Sequence, residues 1–295
     1  MSKSVIVLFN PVAGRQSPNI IRNKLDFVLS KSQNSIQVID TIPGKVAEQA
    51  RKAAKEADIV VAAGGDGTLH AVIQGVVGTS AAIGLIPLGT GNDFARTIGV
   101  PSDLSSAIEV LQRCDPLPTD LIRYQTATSE GWLINIGGIG FDAAVAERIN
   151  TGFRGLKGTT AYLAAVFRCL ATYRAIPVKA TLDSKVREAP AMLCAVANAR
   201  YYGGGMQVAP LARVDDGLLD VVMVQKVSKV EFLLQLPRVF KGTHLSHRCV
   251  FSDKSYRVTL ETSTPMPVLA DGEIVGQTPV TFEVVPGAVK MIRPH

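Results

Sequence analysis

The strongest constraint on the fold is an alternation near the N-terminus, in which short, wholly apolar runs give way to stretches with helical spacing. Val5–Phe9 is such a run and stops at Asn10-Pro11-Val12-Ala13-Gly14; Ile20, Ile21, Leu25, Val28 and Leu29 then share one helical face. Ser35–Ile42 alternates like a strand, Ala47–Ala57 reads as an alanine-rich helix, Asp58–Ala63 as a second buried strand, Leu69–Val77 as a helix and Ala82–Pro87 as a third buried strand. A strand that is apolar at every position needs cover on both faces, which a parallel sheet between helices supplies. The pattern predicts a parallel α/β domain with its ligand at the carboxyl ends of the strands.

Two glycine turns lie at those ends, Gly64-Gly65-Asp66-Gly67-Thr68 and Pro87-Leu88-Gly89-Thr90-Gly91-Asn92-Asp93. Without a Cβ, glycine lets backbone N–H groups close on a bulky anion, and the helix that follows adds the positive end of its dipole. Both turns suit phosphate, although either could serve only as a tight strand-to-helix connection.

Beyond about Leu121 strand-like runs follow one another: Trp132–Ile136, Val178–Leu182, Met192–Ala197, Leu218–Val224, Tyr256–Leu260, Val268–Ala270 and Val280–Val285. They predict a mostly antiparallel second domain, interrupted by helices at Thr160–Thr172 and after Ser228, where Glu231 has capping-box spacing. Arg123–Glu130, polar and turn-rich, reads as the linker. The expected domains are residues 1–125 and 126–288, with 289–295 able to complete the first.

A net charge of +6 suits an anionic partner and does not choose among nucleotide, nucleic acid and membrane surface. The four cysteines, Cys114, Cys169, Cys194 and Cys249, form no CxxC pair, so a reduced cytoplasmic protein is expected. Val5–Phe9 is too short and wrongly flanked for a signal peptide, and Arg168 breaks the apolar run Ala161–Ala171 well short of a spanning helix. Any membrane contact is expected to be peripheral.

Five ordered motifs resemble the diacylglycerol-kinase-type catalytic domain shared with sphingosine and ceramide kinases. They are Asn10–Gly14, Gly64–His70, Pro87–Arg96, Asp215-Asp216-Gly217-Leu218-Leu219-Asp220 and Asp271-Gly272-Glu273, the last two resembling markers of the soluble bacterial branch. The resemblance implies an N-terminal three-layer α/β domain of NAD kinase/diacylglycerol kinase type and a C-terminal β-sandwich, with ATP in the cleft between them. The implied reaction moves the γ-phosphoryl group of ATP to a lipid hydroxyl, most readily that of diacylglycerol, with Mg2+ as the metal. Phosphatidylglycerol and sphingoid lipids stay open as acceptors. NAD kinase shares GGDGT but lacks the Gly89–Ala95 pattern, and a non-catalytic nucleotide binder would need no acceptor-side carboxylate.

The resemblance also distributes roles. Asn10, Pro11, Val12, Ala13, Gly14, Gly64, Gly65, Asp66, Gly67, Thr68, Leu69, His70, Thr41 and Thr90 correspond to ATP contacts, with a turn cap an equal reading of Thr41. His70 stands where the family often has asparagine. Asp66, Asp93 and Asp120, each after an apolar segment, would form a magnesium edge acting partly through water, while Asp93 and Asp120 also suit capping or a turn. Asp216, with the carbonyls of Arg213 and Leu218, resembles a structural magnesium site. Glu273 corresponds to the base for the lipid hydroxyl, Asp271 is the second candidate, and the same triplet is a common hairpin turn. The basic loop Asn150–Gly158, with Phe153, Arg154 and Lys157, and the cluster Arg238, Phe240, Lys241, His244, His247 and Arg248 are candidate contacts with an anionic membrane or ordinary solvated faces. Nucleic acid is not expected as a partner, and a homodimer stays open.

Overall fold

The computed structural model describes residues 3–14, 17–29, 34–152 and 168–294. Contacts divide the chain into two units: Met1–Leu121 with Val214–Asp216 and Val285–His295, and Ile122–Arg213 with Gly217–Val284. Two strands, β5 (Pro116–Gln125) and β15 (Val280–Ile292), pass from one unit into the other.

In the first unit β1 (Ser4–Phe9), β2 (Ser35–Asp40), β3 (Ile59–Gly64) and β4 (Ala82–Pro87) run parallel in the order β2-β1-β3-β4. Met291 of β15 pairs parallel with Ile83 beyond β4. Strands β3 and β4 are buried at every position, as their unbroken apolar sequences require. Alternate residues face opposite ways: Val5, Val7, Phe9, Val61 and Ala63 pack with Ile21 and Leu25 of α1 (Pro18–Leu29) and Ile108 of α5 (Leu104–Arg113). The other face is covered by α2 (Val46–Glu56) and α3 (Asp66–Val76), which pack on each other and on β3 and bury Ala50, Ala53, Leu69, Val72 and Ile73. This is the expected three-layer α/β arrangement. Each large side chain buried there contributes roughly 1.5–3 kcal/mol.

Two details of this unit differ from the sequence reading. Helix α3 begins at Asp66 rather than Leu69, because Gly65 is its N-cap and the glycine turn forms its first turn. Helix α5 is an additional element, started by Asp103, whose Oδ2 accepts from Ser106 N at 2.9 Å.

The second unit is mainly antiparallel. Strands β7 (Ile136–Gly140), β9 (Lys185–Ala197), β8 (Ile176–Leu182) and β12 (Arg257–Thr262) follow one another in space and continue to β15. On the other side β7 pairs with β13 (Pro267–Ala270), which forms a hairpin with β14 (Glu273–Gln277). Strand β10 (Leu219–Gln225) joins β9 to β11 (Val250–Ser255), and β6 (Glu130–Leu133) pairs with β5. An apolar cluster, including Ile122, Leu133, Ile139, Val196, Val221, Leu260 and Phe282, lies among them.

Several local expectations are corrected here. The polar stretch Arg123–Glu130 is the β5–β6 hairpin, closed by an Arg123–Glu130 ion pair at 2.8 Å, and not a linker. Trp132–Ile136 is not one strand: the amides of Ile134, Asn135 and Ile136 go to the Asp271 carboxylate, which breaks the ladder between β6 and β7. Helix α6 (Phe141–Gly152) adds to the two helices read from sequence. Of the expected helix Thr160–Thr172, residues 168–172 are helical and the remainder lies outside the described residues, as do Phe153, Arg154 and Lys157 of the basic loop. The helix after Ser228 is α7 (Lys229–Phe240); Ser228 Oγ accepts from Glu231 N at 3.1 Å, while the Glu231 carboxylate pairs with His247 and Arg248 instead of completing a capping box. Among the described residues no helix is long and apolar enough to cross a membrane.

Candidate active site

In the first unit the carboxyl ends of β1, β3 and β4 bring three turns together. Asn10 is the tie between the first two: its backbone N–H donates to Ala63 O at 2.9 Å and its Nδ2 donates to Thr68 Oγ1 at 2.9 Å. Its Oδ1 accepts from Val12 N at 3.1 Å and shapes the Asn10–Gly14 turn. The third turn joins through Leu88 N, which donates to Gly64 O at 2.8 Å.

Two glycines are required by close approach. A Cβ on Gly64 would lie 2.3 Å from Thr68 Oγ1, and one on Gly14, which has φ +83, would lie 2.5 Å from the Leu88 carbonyl oxygen. Nothing lies within 4 Å of a Cβ built on Gly67, so the turn at the start of α3 is open there. Thr41 is buried at the end of β2 and donates its N–H to Phe9 O at 2.7 Å; Thr90 is exposed on the third turn. Leu69 and His70 are buried on α3.

Asp66 has a role that its sequence position did not reveal. Its Oδ2 accepts from Asp93 N and its Oδ1 from Phe94 N, both at 3.2 Å. It thus caps the short helix α4 (Asp93–Thr97), whose own N-cap, Asn92 at φ 51, makes no side-chain cap. Asn92 Nδ2 donates to Gly89 O at 2.8 Å, and Asn92 Oδ1 is buried with no hydrogen-bond partner.

The carboxylates of Asp66 and Asp93 lie 3.1 and 3.6 Å from the point a Gly91 Cβ would occupy. Asp120, almost wholly buried on β5, accepts from Gly287 N at 2.8 Å through Oδ1. The three carboxylates do not form a group with all ligand atoms within 4.8 Å of one another. Asp216 belongs to the first unit and sits half-buried in a turn whose next residue, Gly217, has φ 69.

The second unit holds the other acidic motif. Asp271, at φ 47, accepts from Ile134 N and Asn135 N at 2.9 Å and from Ile136 N at 3.2 Å. Its two oxygens are therefore occupied by the connection between β6 and β7. Glu273 opens β14 and is exposed. Burial and then the negative charges of Glu273 and Asp271 push the Tyr124 phenol above its usual range. Helix α6 packs against β7, β13 and β14, and burial raises the carboxyl of its first-turn Asp142 to about 6. No spacing marked Asp142, an isolated acid behind a glycine-rich strand.

Comparison with known proteins identifies the family. Residues 4–124 match the model for a diacylglycerol kinase catalytic domain, and residues 136–293 match a YegS C-terminal NAD kinase beta sandwich-like domain. A diacylglycerol kinase of Mycobacterium tuberculosis (strain CDC 1551 / Oshkosh) is 30% identical over 99% of this chain and 95% of its own length. One from Bacillus subtilis (strain 168) is 29% identical over 95% and 93%. A solved diacylglycerol kinase structure from Bacillus anthracis str. Sterne, 24% identical, shares the fold with a TM-score of 0.79 over 99% of this chain and 97% of that one. With both matched domains in their family order and a relative aligned almost end to end, the chain belongs to the diacylglycerol kinase family and is a lipid kinase.

Proposed function

We propose that the protein transfers the γ-phosphoryl group of ATP, with Mg2+, to the hydroxyl of diacylglycerol, giving phosphatidic acid. The observation that carries this reading is the assembly of the three turns by Asn10, Thr68, Gly64 and Leu88. The first amides of α3, those of Asp66 and Gly67, have no intrahelical partner and are suited to phosphate oxygens. Asn10 orients the Thr68 hydroxyl beside them.

The residues also fit a hard cation: Asp66 and Asp93 flank Gly91, and the buried, unpartnered Asn92 Oδ1 adds an acceptor for a metal-bound water. Magnesium, when bound, neutralises charge that develops on the transferring phosphoryl group. Asp120 would act on this edge through water, and Asp216 would hold a structural magnesium ion. Glu273 takes the proton of the acceptor hydroxyl, since the oxygens of Asp271 already serve three amides. Four free cysteines suit the reducing cytoplasm.

Incubation with labelled ATP, Mg2+ and vesicles containing diacylglycerol, phosphatidylglycerol or sphingosine should yield labelled phosphatidic acid, and EDTA should abolish it. Labelled NADP in a parallel tube with NAD, or turnover of another lipid in place of diacylglycerol, would overturn the assignment.

Helix α7 supports a peripheral membrane contact. Val230, Leu234, Pro237 and Phe240 form an exposed apolar stripe on this helix, beside exposed Lys229, in addition to the half-buried apolar face of Phe232, Leu233, Leu236 and Val239. Exposed Lys226, Lys229, Lys241 and Arg248 surround the stripe, each adding about 1 kcal/mol near an anionic surface. The triple variant Val230→Ser, Leu234→Ser, Phe240→Ser should lose most sedimentation with phosphatidylglycerol vesicles. Binding equal to wild type would return α7 to an ordinary surface.

A further inference from the structure

One cluster in the second unit, used neither by the phosphate-binding turns nor by the β13–β14 hairpin, has the chemistry of a metal centre. Glu231 stands in the first turn of α7, and His247 and Cys249 lie between the 3-10 turn His244–Ser246 and β11. One ligand atom from each lies within 4.8 Å of the other two, and all three residues are half-buried. Glu231 Oε1 and His247 Nε2 are 3.3 Å apart. Bonds of about 2.0–2.3 Å in a tetrahedron separate neighbouring zinc ligands by roughly 3.3–3.8 Å, so this edge is already formed and the thiolate side needs only a small closure.

The donor set is as informative as the spacing. Carboxylate, imidazole and thiolate together suit zinc, whereas magnesium and calcium take oxygen. Two anionic ligands would balance the charge of a divalent ion. We infer that Glu231, His247 and Cys249 form a zinc-binding site, with water at the fourth position. The inference is independent of the kinase reading.

The proton changes are defined. Cys249 gives up its thiol proton to solvent and bonds through the thiolate. The single ring proton of neutral His247 moves through solvent from Nε2 to Nδ1, which frees the Nε2 lone pair for the metal. The contact of Cys249 N–H with Nδ1, long at 3.3 Å, is then given up. Arg248 Nη2, 3.3 Å from the same Glu231 oxygen, belongs to a side chain that is 81% exposed and is free to swing into solvent.

Such an ion would act as a clip. Helix α7 has no fully buried residue: Phe232 and Leu233 pack half-buried against the cluster around Phe141, and polar contacts add to this, among them Lys229 Nζ with Ala171 O and Arg238 Nη2 with Ser246 Oγ at 2.9 Å. Zinc would join its first turn to the entry of β11.

The full chain, stripped of metal, is titrated with Zn2+ against a chromogenic chelator and separately with Co2+. Wild type should bind one equivalent, and its cobalt form should show a thiolate-to-metal charge-transfer band. Cys249→Ala should remove that band and weaken zinc binding by more than the roughly 10–100-fold that loss of an outer-shell partner costs. Cys114→Ser, at the other half-buried cysteine, should leave both intact. Zn2+ should raise the melting temperature of wild type and not of Cys249→Ala. If Cys249→Ala does not fold, His247→Gln takes its place with the same expected loss of affinity. A band that survives Cys249→Ala, or zinc affinity that is unchanged in the triple variant Glu231→Gln, His247→Gln, Cys249→Ala, would overturn the assignment.

Discussion

Replacing Glu273 by glutamine is expected to lower kcat for lipid phosphorylation by about 10²–10⁴-fold while leaving ATP affinity within twofold of wild type. The amide keeps the size of the side chain and removes its capacity to accept a proton. The effect corresponds to roughly 3–5 kcal/mol of transition-state stabilisation. Because Glu273 is exposed at the start of β14, the substitution leaves the packed face of the hairpin in place. Tyr124 provides a readout that does not depend on turnover: its phenol is raised partly by the charge of Glu273, so its titration should move back toward the ordinary tyrosine range. A kcat within threefold of wild type would remove Glu273 from the base role, and an unmoved Tyr124 would show that the charge was not felt.

The second large effect is on stability. Asp271→Ala is expected to destabilise the fold by about 3–5 kcal/mol, read as a lower urea midpoint. Three backbone amides, of Ile134, Asn135 and Ile136, lose a charged acceptor at once, and alanine is poorly suited to φ 47. Asparagine tolerates that conformation and keeps one carbonyl oxygen, so Asp271→Asn should recover part of the loss. A midpoint in Asp271→Ala equal to wild type would show that water replaces the carboxylate without cost.

Residues 271 and 273 illustrate where the sequence could and could not be read. Both are acids beside one glycine, and spacing alone leaves their roles interchangeable. What separates them is a contact with residues 134–136, more than a hundred positions away in the chain. The same contact explains why Trp132–Ile136 looked like one strand: the stretch is apolar apart from Asn135, and the break comes from a side chain that local pattern does not include. The parallel sheet of the first unit was readable because fully buried strands have no polar position to disguise them. Asp66 was readable as a site residue from its glycine turn, whereas its capping of α4 required knowing that β3 and β4 are neighbours. Ser228 was found as a helix start through a purely local bond, and Glu231 was misdirected because its partners, His247 and Arg248, lie beyond the helix.

The ties among the three phosphate-side turns also bear on how this sequence can drift. Gly14 is held to its lack of a side chain by the carbonyl of Leu88, and Gly64 by Thr68, which in turn is bonded to Asn10. A change at any one of these positions alters the room left for another, so the effects of paired substitutions should not add. Single steps away from the present residues are then penalised even where a different set of residues would serve equally well. The turns constrain one another although they are separated along the chain, and their agreement is a property of the folded strand ends.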